Sequence, residues 1–293
     1  MNKNWAEKNT KYLFLLPIML FIVVMVIAPL IYVIYLSFTE WSMGTTAPVF
    51  VGLDNFKNLL MDERFLNSVW RTLYLAIVSV AIEVVLGLAI AMLLNRAFKA
   101  KNFVKTLFLL PMIATPIAIG MVWILIYEPT MGIANYFLKH MGIDPVMWLI
   151  DPNLVLNSLV LVEVWEWTPM IVLIMLAGLA GLPTDPYESA VVDGANKWQI
   201  FTRITLPLCA PTLIVAAMLR MIDALKSFDI IYSMTNGGPV FASETLNIYS
   251  YILTFQYFKM GQGSASILMF LVVIGVVCGL MVFLRNSVRR LTQ

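Results

Sequence analysis

Residues 183–211 read PTDPYESAVVDGANKWQIFTRITLPLCAP, and the rest of the chain takes its meaning from this stretch. It lies between two long apolar segments and has the most legible local chemistry of the polar connections. Asp185 is predicted to be an N-cap, with Pro186 at the first helical position and Glu188 three residues after Asp185, a capping-box-like start. Gly194 is placed to end that short helix in a left-handed conformation. A second short amphipathic turn, Asn196 to Ile204, is predicted to run into Pro207, where the next membrane helix begins. Taken alone, these residues also suit an ordinary well-capped loop between helices.

Composition narrows the choice. With 61% hydrophobic and 12% charged residues and a mean hydropathy of +0.87, the chain is predicted to be an integral membrane protein, because apolar runs of about 20 residues are the signature of spanning helices. Cys209 and Cys278 each sit in an apolar run and indicate no disulfide framework. His140 is the only histidine, so no His/Cys metal cluster and no nucleophile–histidine arrangement can be built. No basic stripe with interleaved aromatics points to nucleic acid. The phosphate-loop pattern G-x-x-x-x-G-K-[ST] is missing, so any energy for active work has to come from a partner or an ion gradient.

Working outward, six apolar spans are predicted at about 12–38, 68–94, 103–127, 154–182, 206–234 and 265–284, within a single membrane domain covering 1–293. The first is too long for a signal-peptide core and no small-x-small cleavage pattern follows it, so it reads as a retained helix. The N-terminus, the second connection, the 183–205 connection and the C-terminus hold Lys3, Lys8, Lys11, Arg96, Lys99, Lys101, Lys105, Lys197, Arg203, Arg285, Arg289 and Arg290. The opposite side holds Lys57, Arg64, Arg71, Lys139 and Lys259, with Lys226 near the boundary. The positive-inside rule therefore puts both termini and the 183–205 loop in the cytoplasm.

Glu83, Glu163, Glu166, Arg220 and Asp223 fall inside the predicted spans. A charge in the hydrocarbon costs at least ~2.5–3.5 kcal/mol, so such groups face a cavity or a partner. A structural account pairs Arg220 with Asp223, three residues apart on one helix, and makes Glu83 a protonated interhelical donor. Glu163 and Glu166 share a helical face that continues to Trp167 and Met170, and carboxylates beside indoles suit a sugar-binding cavity. Pro111, Pro116 and Pro169 break hydrogen bonds in mid-span, which suits a translocation path and is also common in bundles without one. The run from Asp229 to Pro239 ends in a turn signal, Asn236-Gly237-Gly238-Pro239, followed by the aromatics Tyr249, Tyr251, Phe255, Tyr257 and Phe258. It reads either as a turn with an aromatic belt or as an outer gate and docking surface.

Glu188-Ser189-Ala190, Asp193-Gly194-Ala195, Phe201, Ile204, Pro207 and Pro211 together resemble the cytoplasmic EAA loop of permease subunits of binding-protein-dependent ABC importers. The Phe228–Pro239 run and Val51-Gly52-Leu53-Asp54-Asn55-Phe56 are similar to segments of the carbohydrate-uptake branch, the maltose- and glycerol-phosphate-type permeases. Ser189 departs from the usual alanine. The resemblance implies an all-α fold of six transmembrane helices, the type I ABC importer permease fold, with cytoplasmic coupling helices. It further implies a bacterial or archaeal inner-membrane location, a second permease subunit, two ATPase subunits that hold ATP and Mg, and an extracytoplasmic solute-binding protein. Under it Glu188, Ser189, Ala190, Asp193, Gly194, Ala195 and Pro207 couple to the ATPase, while Glu163, Glu166, Trp167, Met170, Asp223, Ala224 and Ser227 line the substrate path. This chain would be a transport subunit rather than an enzyme, with a mono- or oligosaccharide as cargo. The rival is a stand-alone ion-coupled secondary transporter using Glu83, Glu163 or Asp223 as its proton site.

Overall fold

The computed structural model describes residues 3–44, 47–96 and 98–291. In chain order it contains α1 (Lys3–Ile22), α2 (Ala28–Ser37), the strands β1 (Thr39–Glu40) and β2 (Val49–Phe50), α3 (Asp54–Met61), α4 (Glu63–Asn95), α5 (Lys101–Ile113), α6 (Pro116–Ile126), α7 (Ile133–His140) and α8 (Val155–Ala180). Then follow α9 (Asp185–Val192), α10 (Lys197–Ile200), α11 (Leu206–Leu225), α12 (Asp229–Thr235), α13 (Leu246–Tyr251) and α14 (Met260–Leu291). Five helices are long and apolar enough to cross a membrane, and the bent pair α5–α6 makes a sixth if it counts as one span.

Prolines shape these spans. A π turn over Val23–Ile27 joins α1 to α2 just ahead of Pro29, and another over Phe201–Thr205 joins α10 to α11 just ahead of Pro207. The wider turn takes up the carbonyl that proline leaves without a donor, and the helix continues. Lys197–Leu225 is consequently one span of 29 residues, and the expectation that the membrane helix begins at Pro207 is corrected. At Pro116 the outcome is different. Thr115 is extended (φ −72°, ψ 137°), as a residue before proline prefers, and the pair α5–α6 bends by 96°.

The expected span 206–234 stops short. α11 ends at Leu225, and Asp229–Thr235 forms the separate helix α12. Lys226, Ser227 and Asp229 follow directly on Asp223, and this polar run does not continue an apolar helix. The last span begins at Met260, five residues ahead of the expected 265.

Contacts divide the chain into two compact units, Met1–Leu66 with Ser250–Leu271, and Asn67–Tyr249 with Val272–Gln293. In the second unit, Leu88, Ala91 and Leu94 of α4, Ile171, Val172 and Met175 of α8, and Cys209 and Ala216 of α11 form one core. Small residues bring these helices together. A Cβ on Gly87 would lie 2.4 Å from Ile171, and one on Gly178 would lie 2.7 Å from Thr212. Beyond this layer Ala76 and Val80 of α4 pack on Met221, Ala224 and Leu225 of α11.

In the first unit, β1 and β2 pair antiparallel with Thr39 opposite Phe50 and Glu40 opposite Val49. Phe38 packs against Phe56 of α3 at 5.5 Å between ring centroids. The first apolar span, Thr10–Ser37, buries none of its most apolar stretch within the chain and so is left to lipid or to another subunit.

Candidate functional site

Three helices of the second unit each contribute a charge to one buried cluster. Glu83 of α4, Glu163 of α8 and Arg220 of α11 are 0%, 2% and 1% exposed. Arg220 Nε lies 2.8 Å from Glu83 Oε2, and its Nη2 donates to Glu83 Oε1 at 3.2 Å and to Glu163 Oε1. Ser227 Oγ donates to the other oxygen of Glu163 at 3.3 Å. The guanidinium also lies 4.9 Å from the centre of the Trp167 ring, a cation–π contact. Glu166 is 1% exposed, and its Oε2 has no hydrogen-bond partner among the described residues.

One structural expectation is corrected here. Arg220 does not pair with Asp223, which instead faces Lys226 at 3.5 Å with both side chains about half exposed. Glu83 makes its contact between helices, and its partner is Arg220 of α11. An Arg220–Asp223 pair would leave Glu83 and Glu163 buried without a counter-charge, and removing one partner of a buried ion pair costs about 3–5 kcal/mol.

A cavity of about 130 Å³ opens beside the cluster, walled by Pro116, Glu163, Trp167, Arg220, Asp223, Lys226, Ser227, Phe228, Asp229 and Ile230. Of the substrate-path residues expected from sequence, Glu163, Trp167, Asp223 and Ser227 line it. The remaining three do not. Ala224 is 2% exposed in the α4–α11 core, Glu166 is buried, and Met170 is half-buried away from the cavity wall. The sequence does not assign Lys226, Phe228 and Asp229 to the path, and they also line the cavity. Their signal is the break in α11, because the chain leaves that helix for α12 at these positions and Phe228 stacks on Tyr232 at 5.0 Å. A larger groove of about 610 Å³ runs along α5, α6 and α8, but its walls, among them Leu107, Phe108, Pro111, Trp123, Trp165 and Pro169, are apolar and offer little to a hydroxylated solute. Among the described residues no three of His, Cys, Asp and Glu group to hold a metal.

The 183–205 loop folds as two short helices around Gly194. Thr184, not Asp185, stands at the N-cap of α9 and makes no side-chain cap. Its carbonyl accepts from Tyr187 and Glu188 at 2.9 and 3.1 Å, which draws Asp185 and Pro186 into the first turn. The capping box lies one helix later, where Asn196 N donates to Gln199 Oε1 at 2.8 Å and Gln199 N to Asn196 Oδ1 at 2.9 Å. Gly194 adopts φ +75°, the left-handed conformation its position required. Ala195 N reaches Ala190 O at 2.9 Å and Gly194 N reaches Val191 O at 3.1 Å, the paired bonds of a Schellman ending. Ala190 is buried, while Glu188, Ser189 and Asp193 are exposed. Ala190, Asp193, Gly194 and Ala195 line a recess of about 340 Å³ with Gln199, Arg203 and Ile204. Pro207 lies outside it, exposed near the start of α11. Val191, Val192 and Trp198 are 66%, 87% and 71% exposed, an apolar surface that residue type alone does not announce.

Comparison with known proteins agrees with this architecture. A family model described as "Binding-protein-dependent transport system inner membrane component" matches residues 83–293. The trehalose/maltose transport system permease protein MalF of Thermococcus litoralis is 37% identical over 274 residues, 92% of each chain. The trehalose transport system permease protein SugA of Mycobacterium tuberculosis is 33% identical over 267 residues, 90% of this chain and 85% of the relative. In structure, a chain of a bacterial ABC transporter that imports the acidic polysaccharide alginate superposes with a TM-score of 0.83 at 24% identity, covering 100% of both chains.

Proposed function

The chain belongs to the family of binding-protein-dependent transport system inner membrane components, and we propose that it is a permease subunit of an ATP-driven importer whose cargo is a neutral saccharide. Residues 1–293 then act as one transmembrane permease domain with both termini and the 183–205 loop in the cytoplasm, the side favoured by its excess of Lys and Arg. A second permease completes the path, two ATPase subunits supply ATP and Mg chemistry, and an extracytoplasmic binding protein delivers the sugar.

One observation carries the reading. Lys197–Leu225 is a single helical span of 29 residues, about 43 Å at 1.5 Å per residue. It begins beside Gly194 in the loop and ends at Arg220, Asp223 and the cavity. α8, which carries Glu163 and Trp167, leads into the loop from the other side. The loop therefore joins two of the helices that wall the cavity, and a displacement imposed on it moves the Glu163–Trp167 side and the Arg220–Asp223 side together. In this scheme Glu188, Ser189 and Asp193 face the ATPase. Ala190, Gly194 and Ala195 shape the recess, and Pro207 lies within the continuous helix that carries the movement to the cavity.

The cavity suits a sugar with no net charge. The Trp167 indole offers a flat apolar face, and Glu163, Asp223, Asp229 and Ser227 offer hydroxyl acceptors. Arg220 is already committed to two carboxylates, which leaves Lys226, among the described residues of the lining, as the one cation for an anionic cargo. At about 130 Å³ the cavity is smaller than the roughly 300–1,000 Å³ of small-molecule sites, so this chain contributes one wall and the partner permease the other. The relatives named for trehalose and maltose supply the first sugars to try. In proteoliposomes holding the complete transporter and its binding protein, uptake of labelled trehalose or maltose should require ATP. Uptake by this chain alone on a proton gradient, without ATPase, would overturn the importer reading in favour of a secondary transporter.

A further inference from the structure

The run Val51–Phe56, VGLDNF, serves neither the loop nor the buried cluster, yet it is built into the best-organised polar cleft of the first unit. Asn55 is 8% exposed, and its Nδ2 donates to the carbonyls of Ser37 at 2.9 Å and Thr39 at 2.8 Å, tying α3 to the start of β1. From the other side Gly261 N donates to Trp41 O at 3.0 Å, and Met43 N to Phe258 O at 2.9 Å. A Cβ on Gly261 would lie 1.9 Å from Thr39 O, so only glycine lets the start of α14 approach the strand this closely. The frame is pinned on both sides, and it encloses about 480 Å³.

The polar groups in that frame are unspent. Glu40, Trp41, Asp54, Asn58, Lys259 and Gln262 line the cleft, and none of their side chains makes a hydrogen bond, ion pair or ring contact among the described residues. Asn55 also lines it, and with Nδ2 committed its Oδ1 accepts nothing. The cleft's volume falls within the range of small-molecule sites. The set pairs one indole with carboxylate and amide acceptors and with amide and ammonium donors, which is what a ligand made of hydroxyls needs, since each hydroxyl both donates and accepts. Two carboxylates against one ammonium disfavour an anionic ligand. A docked protein loop would want an apolar anchor pocket, and Val51 and Trp41 are the only apolar side chains in the lining.

We propose that this cleft is a second saccharide site, holding a neutral mono- or disaccharide on the extracytoplasmic side, apart from the membrane-embedded cavity. The inference rests on the saccharide reading and orientation given under Proposed function.

The test uses the complete transporter in detergent, without the binding protein, carrying Asn58→Cys and a membrane-impermeant maleimide. The chain's own Cys209 and Cys278 lie within spanning helices, and the unsubstituted complex gives the background. Trehalose or maltose at about ten times its Kd should slow labelling about ten-fold by mass action, and Trp41→Ala in the same background should abolish that protection. Should neither sugar protect the thiol introduced at position 58 while the same complex, reconstituted in proteoliposomes with its binding protein, still transports one of them, the second site is ruled out. Protection by the binding protein but not by free sugar would make the cleft a docking surface and equally overturn the proposal. A reconstituted complex that takes up no neutral saccharide under ATP defeats the saccharide reading itself, and this inference falls with it.

Discussion

The buried cluster and the 183–205 loop treat polar and apolar groups in opposite ways. In the cluster, Glu83, Glu163 and Arg220 are at most 2% exposed and satisfy one another inside a single chain. In the loop, Glu188, Ser189 and Asp193 face outward and Val192 is 87% exposed, so the surface is finished only by something outside the chain. The cluster finds its ion-pair partners within the chain, and the loop does not. A permease driven by another protein needs both, a cavity wall that holds its shape in the membrane and a joint that waits for a partner.

Removing Arg220 should give the largest effect. Arg220→Met leaves two carboxylates buried without a counter-charge, a loss of about 3–5 kcal/mol, read as a lowered Tm and reduced yield of the solubilised complex. Adding Glu83→Gln and Glu163→Gln to Arg220→Met should recover most of that stability, because the two carboxylates that lost their counter-charge are gone. If the triple variant is as unstable as the single one, the loss does not come from Glu83 and Glu163 being left without Arg220.

Gly194→Asp should leave the bundle standing and strike the loop. A non-glycine residue at φ +75° costs about 1–2 kcal/mol locally, and the Schellman ending that aims α9 is strained. Binding-protein docking and basal ATP hydrolysis should persist while sugar uptake per ATP falls. Unaltered coupled uptake would remove Gly194 from the coupling role.

Asn196→Ala is the smallest of the three. It deletes the capping box at the start of α10, worth about 1 kcal/mol, at an exposed position in the loop. Amide exchange should quicken over 197–200 with no measurable change in Tm of the complex. A large drop in Tm would show that the loop is part of the stabilising core and would erase the contrast between the two regions.

Much of this is legible in the residues because it is local. Apolar runs mark spanning helices wherever they pack, and Gly194 announces its left-handed turn through its place after a helix-forming octet. The misreadings share one cause. Spacing of i,i+3 assigns Arg220 to Asp223, but its partners lie 137 and 57 residues away on other helices. Residue type assigns the cap to Asp185, but the chain starts α9 one position earlier and the box forms at Asn196. Pro207 and Pro116 look alike in the sequence. One is absorbed by a π turn and the other breaks its span by 96°.

By itself the sequence determined the membrane class, the number of spans and the presence of an organised loop, since hydropathy, charge asymmetry and glycine placement act over one helix or one turn. Only the tertiary structure decided which charges neutralise one another, which of the expected path residues reach the cavity and where unspent polar groups gather around Asn55. Those outcomes depend on the cost of leaving a buried group without a partner, and that cost is settled among helices far apart in the chain.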